Sequence, residues 1–554
     1  MTPARGGRRP ARRPCSARMS RTEVKPMPAT QPQPAPQPTA TATATTTTAD
    51  APAALGPGAA LLAKFKQSQT AQGDKLLSSF LNMAGGAKRQ QAVEDSLVAL
   101  IDQIVKVGAA DALSGQPMKT IAAIRAGIVT RVEAQVNAIL HHPKFLKLEG
   151  SWRSLEHLAT TVGQRTDMQV QVMNIKKEEL GALFDRYTGA QWTDNPIFKR
   201  VYTNEFSTWG GKPFGCLVGD YQFDHSQGDV NVMRGMMNIG AAAHCPFVAA
   251  ADPELVNLRS WADVEKVAGR VAVTMSGPDY AEWDSLRDDP NASYLALTMP
   301  RFVARLPYGP KTLPAEGMPT FVEQTDGASP DKIVWANSAF AMAANIAKSF
   351  NQYGQTNAIV GITTGGLVEN QKLHRYDTAE GDNAIRIPTE GLFDDVLDNE
   401  FTKSGLIPIV NKKGSDQAAF LGAASVQRPP KFEGKDGAYA TSNAALVAQL
   451  PYLLSVCRIA HYIKQIGRQN LGRAINRAGL DRELNAWLSN YVLDNPNQHP
   501  QEAWIRKPFA AAKATVVDVE GSPGVYDTTF YILPHYKFAG LKVNLSLVCR
   551  VGGK

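Results

Sequence analysis

Phe214-Gly-Cys-Leu-Val-Gly219 reads as a buried strand, and a short polar break later Val230 to His244 reads as an apolar helix. Strand residues followed by a run at helical spacing form the repeating unit of an α/β layer. The alternation extends from Gln169 to about Leu306, with Gln169-Val-Gln-Val-Met-Asn-Ile175 as a further expected strand. The fold class predicted from this stretch is α/β, shading into α+β, with several domains and mixed sheets flanked by helices.

Toward the C-terminus, Trp335 to Tyr353 predicts another apolar helix, ending near a glycine-rich loop at Gly361–Gly366. Residues 411–440 are rich in loop signals and mark a candidate domain boundary. Beyond them the texture changes. Helices are expected over Tyr452–Arg473 and Asp481–Val492, and strands over Ala514–Glu520 and Thr528–Leu533 around the turn Gly521-Ser-Pro-Gly524. The last segment, Leu541-Lys-Val-Asn-Leu-Ser-Leu-Val548, alternates strictly. Leu541, Val543, Leu545 and Leu547 share one face, the pattern of a half-buried antiparallel strand. A strand at the end of a chain brings an edge of free backbone groups, suited to strand addition between subunits.

Toward the N-terminus, His141-His-Pro-Lys-Phe-Leu-Lys-Leu-Glu-Gly-Ser-Trp152 should turn helical after Pro143. Apolar residues recur at helical spacing from Ile121 to Ile139 and from Val93 to Val105. An isolated amphipathic patch, Asp74 to Met83, carries Leu76, Leu77, Phe80 and Leu81. Residues 26–58 are Pro, Thr, Ala and Gln with almost no bulky apolar groups, a composition that cannot offset ordering entropy. The expected organisation is a low-complexity tail at 1–58, a helical arm at 59–140, an α/β body at 141–430 and a C-terminal domain at 431–554.

Composition excludes several classes. The net charge of +8 is concentrated in residues 1–25, which hold seven Arg, Lys25 and Glu23, so the rest carries about +1 (+8 less +7). A nucleic-acid binder shows its excess charge on the folded domain, so no nucleic-acid partner is expected. The five cysteines are scattered and form no C-x-x-C pair, against a disulfide framework or structural zinc. No apolar stretch follows the Arg-rich start as in an export signal, and none approaches the ~18 residues of a membrane span. A cytoplasmic protein without membrane insertion is the expectation.

Catalytic motifs are missing. The chain has no phosphate loop, dinucleotide fingerprint, H-E-x-x-H or acidic calcium loop. Gly361-x-Thr-x-Gly365 has the outline of a nucleophile elbow with Thr for Ser, and reads better as a glycine turn. Asp224-His225-Ser226 holds triad residue types side by side, but triads converge in space and not in sequence. His244-Cys245 reads as a packed histidine closing a helix, and His141-His142 as helix-end histidines interacting with the dipole. Arg458, His461, Lys464 and Arg468 share one face of the 452–473 helix, as an anion site, a partner or lattice surface, or a solvated face. No cofactor, metal or catalytic residue is predicted.

Fixed phrases in order complete the reading. Ile139-Leu-His-His-Pro-Lys-Phe-Leu-Lys-Leu-Glu-Gly-Ser-Trp-Arg-Ser-Leu155, Gly219-Asp-Tyr-Gln-Phe223, Ala243-His-Cys-Pro-Phe247 and Tyr294-Leu-Ala-Leu-Thr-Met-Pro-Arg-Phe-Val-Ala-Arg-Leu-Pro-Tyr308 come first. Trp335-Ala-Asn-Ser-Ala-Phe340, Ile387-Pro-Thr-Glu390, Leu450-Pro-Tyr-Leu-Leu454, Arg458-Ile-Ala-His-Tyr-Ile-Lys464 and Leu484-Asn-x-Trp487 follow. Together they resemble the TssC/VipB family, the large subunits of type VI secretion contractile sheaths. The resemblance implies a structural protein with a C-terminal part similar to the phage tail-sheath core and with terminal arms for strand exchange. It implies pairing with a small TssB/VipA-like sheath subunit, self-association in a helical lattice around an Hcp-like inner tube, and assembly on a baseplate. Some relatives are recycled by a ClpV-type AAA+ unfoldase through an N-terminal helix, and the patch at Leu76, Leu77, Phe80 and Leu81 occupies a matching place. The alternatives are the sheath of a phage-derived contractile injection system and a cytoplasmic α/β enzyme.

Overall fold

The computed structural model describes residues 117–163, 167–325, 330–377, 383–434, 437–470, 476–495, 498–519, 526–535 and 545–551. The low-complexity tail, the patch at Leu76–Leu81, the expected Val93–Val105 helix, and Leu541 and Val543 lie outside them. Residues from Arg125 onward form one compact unit.

The body is a three-layer sandwich. Its centre is a parallel sheet of four strands, β1 (Leu217–Phe223), β2 (Phe247–Ala251), β3 (Leu295–Met299) and β9 (Leu406–Pro408), in that order. The strands β2, β3 and β9 are buried along their whole length. Parallel strands covered on both faces need continuous apolar sequence, and these have it. Phe247, Ala249, Leu295, Leu297 and Leu406 point into one core with α4 (Gln227–Ala243) and α5 (Ala281–Asp288). Val248, Ala296 and Ile407 point into the other, with α6 (Ser338–Tyr353) and the start of α9 (Leu450–Asn470). The edge strand β1 tolerates Asp220 and Gln222 because only two of its seven residues are buried. For the same reason the apolar run Phe214–Gly219 marks it three residues early. Between β3 and β9 lie the short pairs β4 (Phe302–Val303) with β5 (Trp335–Ala336) and β7 (Arg375–Asp377) with β8 (Asn383–Ile385). β6 (Leu367–Val368) joins β11 (Ala418–Ala419) and β10 (Val410–Asn411) in a three-stranded sheet.

Two expectations are corrected. Gln169–Ile175 is no strand: it runs irregularly between α2 (Pro143–Val162) and α3 (Lys177–Arg186), with Val170, Val172 and Met173 exposed. Alternation cannot make a strand where no neighbouring strand pairs with it. The helix expected from Trp335 starts at Ser338, because Asn337 caps it, accepting from the Ala339 N–H at 2.8 Å, while Trp335 and Ala336 pair with β4.

The helix α2 follows α1 (Pro117–Leu140) and lies against the body at very short range. A Cβ on Gly150 would stand 2.3 Å from the Trp335 carbonyl oxygen. One turn on, the Ser154 hydroxyl donates to the Gly150 carbonyl at 2.7 Å and accepts from the Asn337 N–H at 3.0 Å. This glycine therefore sets the approach of α2 to the cap of α6. Gly150→Ala is expected to destabilise the chain by about 2 kcal/mol, the scale of an overpacked core, read as a lowered melting temperature. A variant as stable as the parent would mean that α2 can shift freely.

The C-terminal domain packs α9 and α10 (Arg477–Leu488) on an antiparallel sheet, β12 (Phe509–Asp518), β13 (Tyr526–Pro534) and β14 (Leu545–Val551). Its own core joins Ile459, Ile463, Leu484 and Leu488 to Phe509, Val516, Phe530 and Ile532.

Candidate functional site

The motifs weighed as catalytic and set aside resolve into structure. Asp224 accepts from the Ser226 N–H at 2.7 Å, a loop turn, while His225 stacks on Tyr280 with ring centres 4.3 Å apart. Gly365 has φ +99 and sits so tightly that a Cβ would meet the Ala358 carbonyl at 2.1 Å, which explains the glycine without chemistry. His142 is an N-cap, its Nδ1 accepting from the Lys144 N–H at 3.3 Å, and His141 lies 3.3 Å from Glu323. His141 directly follows the last residue of α1, the helix-end position expected for it, and His142 opens α2. Among the described residues no three His, Cys, Asp or Glu groups converge on a metal-binding point.

The basic face of α9 makes its contacts within the chain. His461 Nε2 donates to the Ala243 carbonyl at 2.9 Å, and Arg468 donates to the Phe206 and Thr208 carbonyls at 2.8 and 3.2 Å. Lys464 Nζ lies 4.4 Å from the Phe206 ring centre, and the Arg458 guanidinium 4.6 Å from that of Phe350. His461, Lys464 and Arg468 clamp α9 to the π-helical stretch Lys199–Phe206 and to the end of α4, and Arg458 packs on α6. Beside them His244 closes α4 in a left-handed conformation (φ 50), its Nδ1 3.2 Å from the Tyr294 hydroxyl. Burial, with His461 and Lys464 adding repulsion, lowers its pKa to about 4.

A second framework was not anticipated from sequence. The Arg305 guanidinium, 5% exposed, bonds Glu323 at 2.7 Å on one side and Glu149 on the other. Burial works against its charge, and the bonds to the two carboxylates more than offset that, so its pKa is raised. Glu323 also accepts from the Tyr308 N–H at 2.8 Å. Arg301 grips Glu390 with two bonds of 2.7 and 2.8 Å. The phrases quoted from distant parts of the sequence thus meet in space as ion pairs. A signal was available on one side: Arg301 and Arg305 are the only charges in the phrase Tyr294–Tyr308.

The sheet of the C-terminal domain has two different edges. On β12, Asn485 of α10 takes both backbone groups of Ala514, donating to its carbonyl at 3.0 Å and accepting from its N–H at 2.8 Å. The Leu493 N–H donates to the Phe509 carbonyl at 3.0 Å. That edge is covered. In an antiparallel ladder one residue's N–H and C=O point the same way, so Ala514 faces away from β13. Its partner Phe530 then faces β14, where it opposes Leu547. Leu545 and Leu547 therefore direct their backbone groups to β13, and Ser546, Val548 and Arg550 direct theirs outward. Among the described residues no strand pairs with that outer edge. This strand pairs with β13 of its own chain, and no described strand lies on its other side.

Buried ion pairs hold the body together, and among the described residues no strand pairs with the outer edge of β14. The EvpB/VC_A0108 tail sheath N-terminal domain matches residues 121–427, and the EvpB/VC_A0108 tail sheath gpW/gp25-like domain matches residues 439–551. The type VI secretion system sheath protein TssC1 of Pseudomonas aeruginosa is 40% identical over 464 residues, covering 84% of this chain and 92% of that protein. The chain is a tail-sheath protein by both measures. It belongs to the TssC/VipB family and is a structural subunit of a type VI secretion contractile sheath.

Two outcomes follow for stability. Arg305→Met leaves two carboxylates facing a buried gap and should cost about 3–5 kcal/mol, seen as loss of soluble, cooperatively melting protein; full stability would mean the network is solvated. For His244 the unfolded chain, with an ordinary pKa of 6.5, binds the proton more readily than the folded one. Its contribution is present above pH 6.5 and is lost as pH falls toward about 4, by up to ~3 kcal/mol. His244→Asn, which tolerates the left-handed backbone, should flatten the melting temperature against pH over that window. An unchanged slope would place the acid sensitivity elsewhere.

Proposed function

We propose that this chain pairs with a small TssB/VipA-like subunit and polymerises as a helical lattice around an Hcp-like tube on a baseplate, in the bacterial cytoplasm, without enzymatic activity. Contraction of the lattice would drive the tube outward. The observation that carries this reading is the asymmetry of the C-terminal sheet: Asn485 covers β12, and among the described residues no strand pairs with the outer side of β14. Soluble proteins cover or blunt both edges of a sheet, because an open one pairs with other chains. A contact made by adding a strand to such an edge, between copies related by a rotation that does not close, propagates as a helix. Apolar residues exposed on α1 and α2, Ile128, Val132, Ile139, Leu148 and Trp152, support a second contact suited to the small subunit. We also propose a division into a body at 141–430 and a C-terminal domain at 431–554, and an unfoldase contact through Leu76, Leu77, Phe80 and Leu81.

The outward N–H of Val548 gives the test. Val548→Pro removes one donor from the open edge and none from the ladder with β13. Co-expressed with the small subunit, it should yield few or short tubes in negative stain, while the isolated chain melts within about 1 kcal/mol of the parent. Leu547→Pro, which breaks the internal ladder, should instead destabilise the domain itself. Tubes of normal length with Val548→Pro would sink strand addition at this edge.

A further inference from the structure

Residues 168–175, Met-Gln-Val-Gln-Val-Met-Asn-Ile, alternate as a strand does, yet among the described residues no strand pairs with them. They lie between α2 and α3, and the chain passes from Met168 to Lys176 without a turn or bend. Both ends are anchored. Met168 packs against the cluster of Leu158, Val162 and Phe340, and Ile175 packs against the core beneath α4. The Tyr221 hydroxyl donates to the Ile175 carbonyl at 2.7 Å. Between these anchors Gln169 to Asn174 are all exposed, Val170 at 40%, Val172 at 65% and Met173 at 44%. Among the described residues no backbone N–H or C=O of 168–175 bonds another backbone group.

The stretch holds no charge, proline or glycine. An exposed segment of that composition adds to other strands unless something covers it. A helix laid on it would cover the valines and leave the row of backbone groups to water, whereas a strand meets both. In an extended run one residue's N–H and C=O point the same way, and its neighbours' point oppositely. The Ile175 carbonyl faces Tyr221 of β1, so Gln171 and Met173 direct their groups to the body. Val170, Val172 and Asn174 direct theirs outward.

That direction decides the occupant. The inner side faces the body, so two copies of the segment meet only outer edge to outer edge, a two-fold contact that closes as a dimer. A lattice that propagates needs a different strand. The segment leaves α2, whose exposed Leu148 and Trp152 belong to the surface assigned above to the small subunit. Trp152 lies about 15 Å along the helix from its end at Val162, close enough for one partner to span.

We propose that residues 169–174 receive a β-strand of the small subunit. It pairs with the outward groups of Val170, Val172 and Asn174 and sets apolar side chains beside the two valines. The proposal rests on the pairing with the small subunit put forward above. The strand that alternation predicts over 169–175 then forms in the pair and not in the isolated chain.

Backbone hydrogen exchange of the full-length chain, alone and co-expressed with the small subunit, tests it, read by mass spectrometry over overlapping peptides. Alone, the amides of Val170, Val172 and Asn174 should exchange as in an unstructured peptide. In the pair they should slow by at least about a hundred-fold. Val172→Pro removes an outward donor and Gln171→Pro an inward one. Neither breaks a backbone bond of the isolated chain, so both should melt within about 2 °C of the parent. In titrations with labelled small subunit, Val172→Pro should weaken the pair about ten-fold and Gln171→Pro should leave it unchanged. Free exchange at 170–174 within an intact pair would overturn the proposal while the pairing itself stood. Equal effects of the two prolines would overturn it as well. So would protection already present in the isolated chain, which would mean that a second copy or the chain's own tail fills the place. A parent chain that forms no pair removes the reading beneath the proposal, and the proposal with it.

Discussion

A guanidinium taken out of water must be matched by carboxylates held in place, and the rest of the body depends on this constraint. Arg305 needs Glu149 from α2 and Glu323 from the loop beyond Tyr308. The desolvation cost of the three charges is recovered only in good geometry, so α2 cannot slide along the body or rotate on it. Its fixed position allows Gly150 to touch the Trp335 carbonyl and Ser154 to reach Asn337. Asn337 in turn starts α6, the helix that covers one face of the parallel sheet. A chain of short contacts thus runs from one buried charge to the central layer.

The C-terminal domain works by the opposite logic. Its core is small, and its sheet has three strands, so most of its backbone groups lie near an edge. One edge is closed by a side chain that imitates a strand: Asn485 presents an acceptor and a donor to Ala514 as a neighbouring backbone would. The clamp of α9, through His461, Lys464 and Arg468, ties the same domain to α4 and the Lys199–Phe206 stretch. What looks in sequence like a basic surface stripe is a set of long side chains lying along aromatic rings and capping carbonyls, as Arg and Lys do where their stems can be buried.

How much could be read beforehand follows from the range of each interaction. The helices α2, α4, α6 and α9 and the strands of the C-terminal domain announced themselves, because their periodicity is local and their burial agrees with it. The segment at Gln169–Ile175 misled for the complementary reason: alternation describes a strand's faces, and pairing depends on a neighbour from elsewhere. The ion pairs joining Glu149 to Arg305 and Arg301 to Glu390 span 156 and 89 residues, beyond any reading of one window. The ordered phrases nevertheless contained all four residues, so resemblance marked the places while giving no physical reason for them.

The two kinds of contact bear on where a contractile lattice could store energy. Breaking the Arg305 network exposes buried charge at a cost of about 3–5 kcal/mol, with the packing of α2 lost besides. A transition that had to disturb it in every copy would face a barrier multiplied along the tube. An edge strand is different, because its outward bonds exchange with water at a net of only ~1 kcal/mol each. Differences between two lattice states are therefore more cheaply accommodated at the surfaces between copies, such as the edge of β14, than inside the body. On this argument the body moves as a rigid block, and the sign and size of the energy change are set by contacts that a single chain does not contain.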